Sequence, residues 1–349
     1  MSQHAWKGGN RAYKRHAGDV YFMCGGRLLT STDGPIVLVL MLAFIAAAPV
    51  VWLAFEAPYV WRAISPAPIV IFAYTTLNMW ACVCRTSFCD PGIIPRGLNA
   101  GGEPTDRSIA LERVDDGGLS GSLTTTIASP WCKTCEIYRP PRASHCRACN
   151  NCVDTIDHHC VFLNACIGRR NYAPFVAMLF HMLFCLVIAI VCSALHIYYI
   201  ADPHTPAQRA SKTGFVGALR EVPQSAVFFG CALLLLIPVA CLLTFHLWLI
   251  THNRTTIEQV RFESTGRIYD MERHDVGCCE SSQLAQTCSR CSAWVRSFFI
   301  SAHVAGTADT AGTRRRRTPF QRTSAWQNSQ AALGRAVPRE YISWRDTPP

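Results

Sequence analysis

Seven cysteines (Cys132, Cys135, Cys146, Cys149, Cys152, Cys160 and Cys166) and three histidines (His145, His158 and His159) fall between Trp131 and Phe175. Thiol and imidazole at that density bind metal, form disulfides or catalyse. Zinc asks for four nitrogen or sulfur ligands in a tetrahedron, commonly offered by Cys-x-x-Cys turns. With His158 and Cys160 set aside, eight donors remain: Cys132, Cys135, His145, Cys146, Cys149, Cys152, His159 and Cys166. They suffice for two closed sites, anchored on the Cys132/Cys135 and Cys146/Cys149 pairs. Spacing alone leaves the pairing of the other four open. Sites filled entirely by protein leave no position for water, so the metal would be structural. The segment has few large aliphatic residues to fold it, and structural zinc in small peptides is worth about 10–16 kcal/mol.

Asp157-His158-His159-Cys160 asks for more than metal. A cysteine near an imidazole, with a carboxylate to orient that imidazole, is the arrangement of an activated nucleophile. The thiolate is the reactive form, and a neighbouring histidine or cationic surroundings lower the thiol pKa. Arg139, Arg142, Arg147, Arg169 and Arg170 supply such surroundings. The alternative is a further zinc knuckle built from the same four residues.

Something must hold these groups in place. Ile36–Phe55, Ala67–Cys84, Phe175–Ile200 and Ser225–Ile250 contain no Asp, Glu, Lys or Arg. Each is long enough to cross about 30 Å of hydrocarbon as a helix. The fold class this implies is an all-α polytopic membrane protein, four transmembrane helices with a zinc-bound cysteine-rich domain between the second and third. Lys and Arg number 5 before the first span, 10 between the second and third, and 14 after the fourth, against 1 and 3 in the other two loops. The positive-inside rule then places both termini and the cysteine-rich segment in the cytosol. That reducing setting disfavours disulfides and favours metal. The net charge of +10 is then largely topological, with the remainder available to anionic lipid or a phosphorylated substrate, and no nucleic-acid partner is expected. No signal peptide is expected, because polar residues 1–35 precede a full-length span.

The chain divides into a cytosolic segment 1–35, a transmembrane hairpin 36–84, a cytosolic linker 85–130, the Cys/His domain 131–174, a second hairpin 175–250 and a cytosolic tail 251–349. Gly25-Gly26 and Asp33-Gly34-Pro35 are turn signals before the membrane. Cys89-Asp90-Pro91-Gly92 is a turn just past the second span, and residues 97–128, rich in Gly, Ser, Thr and Asp, read as a flexible linker. Pro238 predicts a kink in the fourth span. Beyond that span, Asn253-Arg254-Thr255 matches a glycosylation sequon, expected to carry no sugar on the cytosolic side. The tail carries Cys278-Cys279, Cys288, Cys291 and a run of arginines at 314–317.

The Cys/His spacing, Asp157-His158-His159-Cys160 and Cys166-Ile-Gly-x-x-Asn171-Tyr172-x-x-Phe175 together resemble the cysteine-rich domain of the DHHC protein S-acyltransferases, or palmitoyltransferases. Asp90-Pro91-Gly92 and Thr255-Thr256-Ile257-Glu258 match the two flanking signatures of that family in order and in position relative to the spans, so the likeness covers roughly residues 20–260. The resemblance implies that Cys160 is the acyl-accepting nucleophile, His158 its general base and Asp157 the group that orients His158. It implies two structural zinc ions, one on Cys132, Cys135, His145 and Cys152, the other on Cys146, Cys149, His159 and Cys166. Palmitoyl-CoA or another long-chain acyl-CoA would be the acyl donor, and membrane-associated proteins with juxtamembrane cysteines the acceptors. Two positions depart from the family pattern: Phe162 stands where Trp is usual, and Ala165 where Asn is usual. Cys278-Cys279 with Cys288-Ser289, and Tyr21-Phe-Met-Cys-Gly-Gly-Arg27, are similar to the Ras-palmitoyltransferase subgroup. That likeness implies tail acylation and a small accessory subunit; an extra metal-binding cluster is the alternative.

Two further classes compete. A zinc-stabilised scaffold without catalysis keeps the eight ligands but has no need of Asp157, His158 and Cys160. A metal transporter needs ionisable groups in its spans, and there only His181, His196 and His246 are on offer. The expected setting is the endomembrane system, Golgi or endoplasmic reticulum, with the plasma membrane compatible.

Overall fold

A computed structural model of the chain describes residues 12–99, 107–113, 123–202, 204 and 214–265. Cys278, Cys279, Cys288 and the arginine run lie outside the described residues.

Among the described residues, four helices are long and apolar enough to cross a membrane. The first, α1 (Pro35–Tyr59), continues as a π-helical turn over Val60–Ile64; α2 spans Ala67–Phe88 and α3 Tyr172–Ala201. A short helix, α4 (Gly214–Glu221), precedes the fourth, α5 (Pro223–Thr251), and α6 (Thr256–Thr265) follows it. Proline opens α1, α2 and α5 within their first two positions, where its missing N–H costs no helical bond. Helix α3 is the centre of the bundle and packs along both α2 and α5. Ile36, Val39, Leu40, Phe44, Leu234 and Ile237 point outward, as a lipid-facing surface requires.

Two apolar clusters fill the bundle. One contains Ile45, Met79, Val83, Phe175, Val176, Leu179, Leu243 and Ile250 together with Leu163 and Ile167 of the Cys/His module. The other, further along the helices, contains Trp52, Phe72, Cys185, Ala189, Cys192 and Ala232.

The first helix runs past the charge-free stretch and buries a carboxylate. Glu56 is fully buried: Ser225 Oγ donates to its Oε1 at 2.5 Å, and His196 Nδ1 lies 3.0 Å from its Oε2. Tyr59 stacks on the His196 ring at 3.9 Å. The three span histidines are therefore not the only ionisable groups among the helices. A buried carboxylate must be hydrogen-bonded, and Glu56 ties α1 to α3 and α5. Glu56→Ala is expected to cost on the order of 2 kcal/mol, and Glu56→Gln less, because the amide keeps an acceptor for Ser225. Thermal unfolding of the detergent-purified proteins should rank wild type above Gln above Ala; equal melting of all three would sink this.

Among the described residues between α2 and α3 the regular elements are short strands, so the all-α expectation does not extend to the module. Here β5 (Trp131–Cys132) pairs with β6 (Ile137–Tyr138), β7 (Ser144–Cys146) with β8 (Asn151–Val153), and β9 (His158–Cys160) with β10 (Ala165–Ile167), all antiparallel. Strands of two or three residues are too short for alternation to reveal; tight turns between thiols make them. After each Cys-x-x-Cys pair the next residue, Glu136 or Asn150, takes positive φ (55° and 51°) and turns the chain back. Among the described residues, two more hairpins stand outside the module. Within the stretch expected to be a flexible linker, β3 (Arg107–Arg113) pairs with β4 (Leu123–Ser129). Before α1, β1 (Val20–Met23) pairs with β2 (Leu28–Ser31) across Gly25 and Gly26, both at positive φ.

Candidate active site and metal centres

The hairpin β9–β10 carries the acid–base residues. Asp157 N–H donates to Ile167 O at 2.7 Å, so Asp157 sits just before the ladder that pairs His158 with Ile167, His159 with Cys166 and Cys160 with Ala165. Its carboxylate is buried and receives three donors: His158 Nδ1–H on Oδ2 at 2.7 Å, the Thr256 hydroxyl on Oδ2 at 2.7 Å, and Thr256 N–H on Oδ1 at 2.9 Å.

Thr256 is the first residue of α6, so the helix presents its N-terminus to Asp157 and favours the anion there. The sequence makes that helix start at this point. Thr255 Oγ1 accepts Glu258 N–H at 3.3 Å, and Glu258 Oε2 accepts Thr255 N–H at 2.9 Å, a reciprocal capping box. Glu258 also receives a two-pronged ion pair from Arg142, Nε–Oε1 at 2.8 Å and Nη2–Oε2 at 2.9 Å. Arg142 reaches Asn253 Oδ1 and O as well, at 3.1 and 3.2 Å. A segment about a hundred residues downstream of Asp157 thereby completes the site.

Burial pushes the Asp157 carboxyl up, but the His158 hydrogen bond and charge and the Thr256 donors overcome it and hold it at about 2. Burial pulls His158 down, yet its bonds to Asp157 and Cys160 push it up to about 9. For Cys160 burial again disfavours the charge. The His158 bond and charge, with the backbone N–H groups of Leu163 and Phe162, bring the thiol below its usual value. The arrangement thus favours the thiolate of Cys160 beside the imidazolium of His158, whose Nδ1–H lies 2.7 Å from a carboxylate oxygen.

The far side of His158 is aromatic. The Phe175 ring meets it edge-on at 5.3 Å, and His246 of α5 lies 6.0 Å away, with its Nδ1 3.1 Å from the Tyr172 hydroxyl. Cys160 packs against the apolar cluster that fills the near half of the bundle. Of the two departing positions, Phe162 is exposed on the turn after Cys160 and Ala165 is buried opposite it.

The eight remaining donors gather into two groups. Cys132, Cys135, His145 and Cys152 form one; Cys146, Cys149, His159 and Cys166 form the other, with the ligand atoms of each group within 4.8 Å of one another. In both groups the thiols are buried and the histidine turns Nδ1 toward them. Three soft thiols and one imidazole fit zinc, and the full ligand count fits a structural ion.

The two flanking signatures are also in contact with the module. Asp90 Oδ1 accepts the Gly92 and Ile93 N–H groups at 2.9 and 2.8 Å, and its Oδ2 meets Arg170. Asn171, fully buried, accepts Gly168 N–H and donates to Thr86 O and Cys166 O, joining α2, the second donor group and α3. Sequence reasoning gave Thr256 and Asn171 no role beyond their motifs; the T-x-x-E capping pattern was the available signal for Thr256. The residues of β2 that reach the turn after Cys160 carried no signal of their own.

Residues 125–263 match the profile of a family described as DHHC palmitoyltransferase. The mouse protein "Palmitoyltransferase ZDHHC18" is 31% identical over 254 residues, 69% of this chain and 62% of that protein. "Palmitoyltransferase erf2" of Emericella nidulans is 33% identical over 256 residues, 71% of this chain and 41% of that protein. "Palmitoyltransferase ZDHHC9" of Danio rerio is 32% identical over 287 residues, 77% of this chain and 71% of that protein. The chain thus spans less than two thirds of the mouse and Emericella relatives and more than two thirds of the fish one.

Proposed function

Because the chain belongs to the DHHC palmitoyltransferase family, we propose that it transfers a long-chain acyl group from acyl-CoA to protein cysteines, through an acyl-enzyme on Cys160. One observation carries this reading: the His158 imidazole bonds a buried carboxylate on one nitrogen and serves the Cys160 thiol beside it. In the first step the Cys160 thiolate attacks the carbonyl carbon of the CoA thioester. The C–S bond to CoA breaks, and the imidazolium of His158 gives its proton to the departing thiolate. In the second, neutral His158 takes the proton of a substrate cysteine, whose sulfur attacks the acyl-enzyme; the Cys160 thiolate leaves and the imidazolium is restored. Asp157, held by Thr256, keeps His158 in the required orientation and stabilises its charge in both steps.

The apolar cluster beside Cys160 offers the acyl chain its environment, where each buried methylene contributes about 0.8 kcal/mol. Zinc held by the two Cys/His groups would fix the short hairpins that carry these residues. The lipid bilayer selects acceptors whose cysteines lie at its surface. We place the module and both termini in the cytosol on the Lys and Arg asymmetry, in Golgi or endoplasmic reticulum, with the plasma membrane as the other compatible site. The tail cysteines Cys278, Cys279 and Cys288 are proposed to engage a small accessory subunit, as the subgroup resemblance implies.

The test is to incubate purified full-length protein with labelled palmitoyl-CoA. The label should resist denaturation, leave on treatment with neutral hydroxylamine, map to Cys160 by mass spectrometry and pass to a cysteine-bearing lipidated peptide. A folded, zinc-replete protein that forms no thioester at Cys160 would refute the reading.

A further inference from the structure

The turn that follows Cys160 is held from outside the module. Val161 to Asn164 link β9 to β10, and Asn164 closes the turn with φ +47° and its N–H on Val161 O at 3.2 Å. Asn164 is fully buried, and its partners beyond the turn all lie in β2 or the short segment that joins it to α1. Its Nδ2 donates to Ser31 O at 2.6 Å and to Thr30 Oγ1 at 3.3 Å. Its Oδ1 accepts Gly34 N–H at 2.9 Å. Its backbone O accepts Ser31 N–H at 2.9 Å and the Thr30 hydroxyl at 3.0 Å. Every polar atom of one asparagine is thus used, and four of its five contacts beyond the turn come from Thr30 and Ser31.

That segment is itself anchored on the module. Leu29 packs with Ile93, Val153, Ile156, Cys146, Cys149 and Cys166, and Asp19 N–H donates to Cys149 O at 2.9 Å. Asp33 Oδ2 lies 3.7 Å from His159 Nε2, so the same few residues touch both sides of Cys160 in sequence. What they hold matters for chemistry, because the turn follows Cys160 directly and carries Leu163 into the apolar cluster against which Cys160 packs. A nucleophile works only where it is held, and the exposed Val161 and Phe162 side chains leave the outer half of the turn without packing of its own.

We propose that Asn164 is a positioning residue for acyl transfer: clamped by Thr30, Ser31 and Gly34, it fixes the turn that follows Cys160 and so holds the Cys160 sulfur in place against the apolar cluster. The proposal rests on Cys160 being the acyl acceptor. It makes the hairpin before the first span a working part of the nucleophile's surroundings, where its sequence reads only as a turn and a lead-in to the membrane.

Asn164→Gly tests it, since glycine keeps the positive φ and the two bonds on the backbone O, and removes the three side-chain bonds of the clamp. Single-turnover acylation by labelled palmitoyl-CoA should slow on the order of 10-fold, while the half-saturating acyl-CoA concentration stays within about 2-fold. Thr30→Val, which keeps the shape and loses the hydroxyl, should slow the same step by about 3-fold. Zinc content and melting temperature are measured on the same samples and are expected to match wild type. Normal acylation by Asn164→Gly, with wild type labelled, overturns this inference alone. So does a slowed variant that has lost zinc or melting temperature in proportion, which would make Asn164 a purely structural residue. No thioester on wild-type Cys160 overturns the acyltransferase reading and this inference with it.

Discussion

Asp157→Asn is expected to slow formation of the Cys160 acyl-enzyme by roughly 10²–10⁴-fold near pH 7, with little change in acyl-CoA affinity. The substitution is nearly isosteric, and Asn Oδ1 can still accept Thr256 N–H, so the fold should survive. What goes is the charge opposite His158 and the acceptor for its Nδ1–H at 2.7 Å. An amide there faces the imidazole with its own N–H groups or forces the other tautomer. The pH dependence fixes the sign. In wild type Asp157 holds His158 up to about 9, and the resulting imidazolium holds the Cys160 thiol below its usual value. Without the carboxylate, the burial that lowers His158 is opposed by Cys160 alone. Cys160 then loses the cation that lowered it while keeping the burial that raises it. The acid limb of the rate profile must therefore move to higher pH, and alkaline conditions should recover part of the loss. Single-turnover labelling between about pH 6 and about pH 9 reads both effects. A variant with wild-type rate and an unmoved acid limb would remove Asp157 from the mechanism. The Thr256 hydroxyl is the milder lever on the same carboxylate, because Thr256→Val keeps the N–H contact and loses one donor of three.

Much of this was legible in the residues themselves. Four charge-free stretches announced four helices, and the order of thiols and imidazoles announced metal-capable turns with a spare Asp-His-Cys set among them. Ligand pairing was not legible from spacing. It follows from the ladder of β9 on β10, which places Cys166 opposite His159, and of β7 on β8, which places Cys152 opposite His145. Long-range polar contacts were harder still. Thr256 and Asp157 lie 99 residues apart, and Asn164 and Thr30 lie 134 apart, separations at which side-chain partners leave no periodic trace. Glu56 misled for a different reason. A carboxylate near the end of an apolar run reads as the edge of the membrane, and only the meeting of Ser225 and His196 from two other helices makes its burial tolerable. The extent of α1 thus depends on a partner set that no single stretch contains.

Removing the metal is expected to abolish acylation altogether while leaving the four-helix bundle folded. The reason lies in how little else the module has. Its strands are two or three residues long, and the cluster around the first donor group owes much of its bulk to Cys132, Cys135 and Cys152 themselves. Structural zinc of this kind is worth about 10–16 kcal/mol in small peptides, more than the net stability of most domains. The two groups should differ in how their loss reaches the chemistry. The second contains His159, which lies between His158 and Cys160, and Cys166, its partner across the ladder. Cys149→Ala should therefore cost about one zinc ion per chain and reduce the acyl-enzyme to background. The first group acts at a distance, since its hairpins flank Arg142, whose ion pair with Glu258 seats the helix that brings Thr256 to Asp157. Cys135→Ala should lose the same amount of zinc but retain residual labelling, with its acid limb shifted in the direction of Asp157→Asn. Zinc quantification, limited proteolysis and labelling on the same preparations check all three points. Full activity in a protein stripped of both ions would show that the hairpins fold without metal.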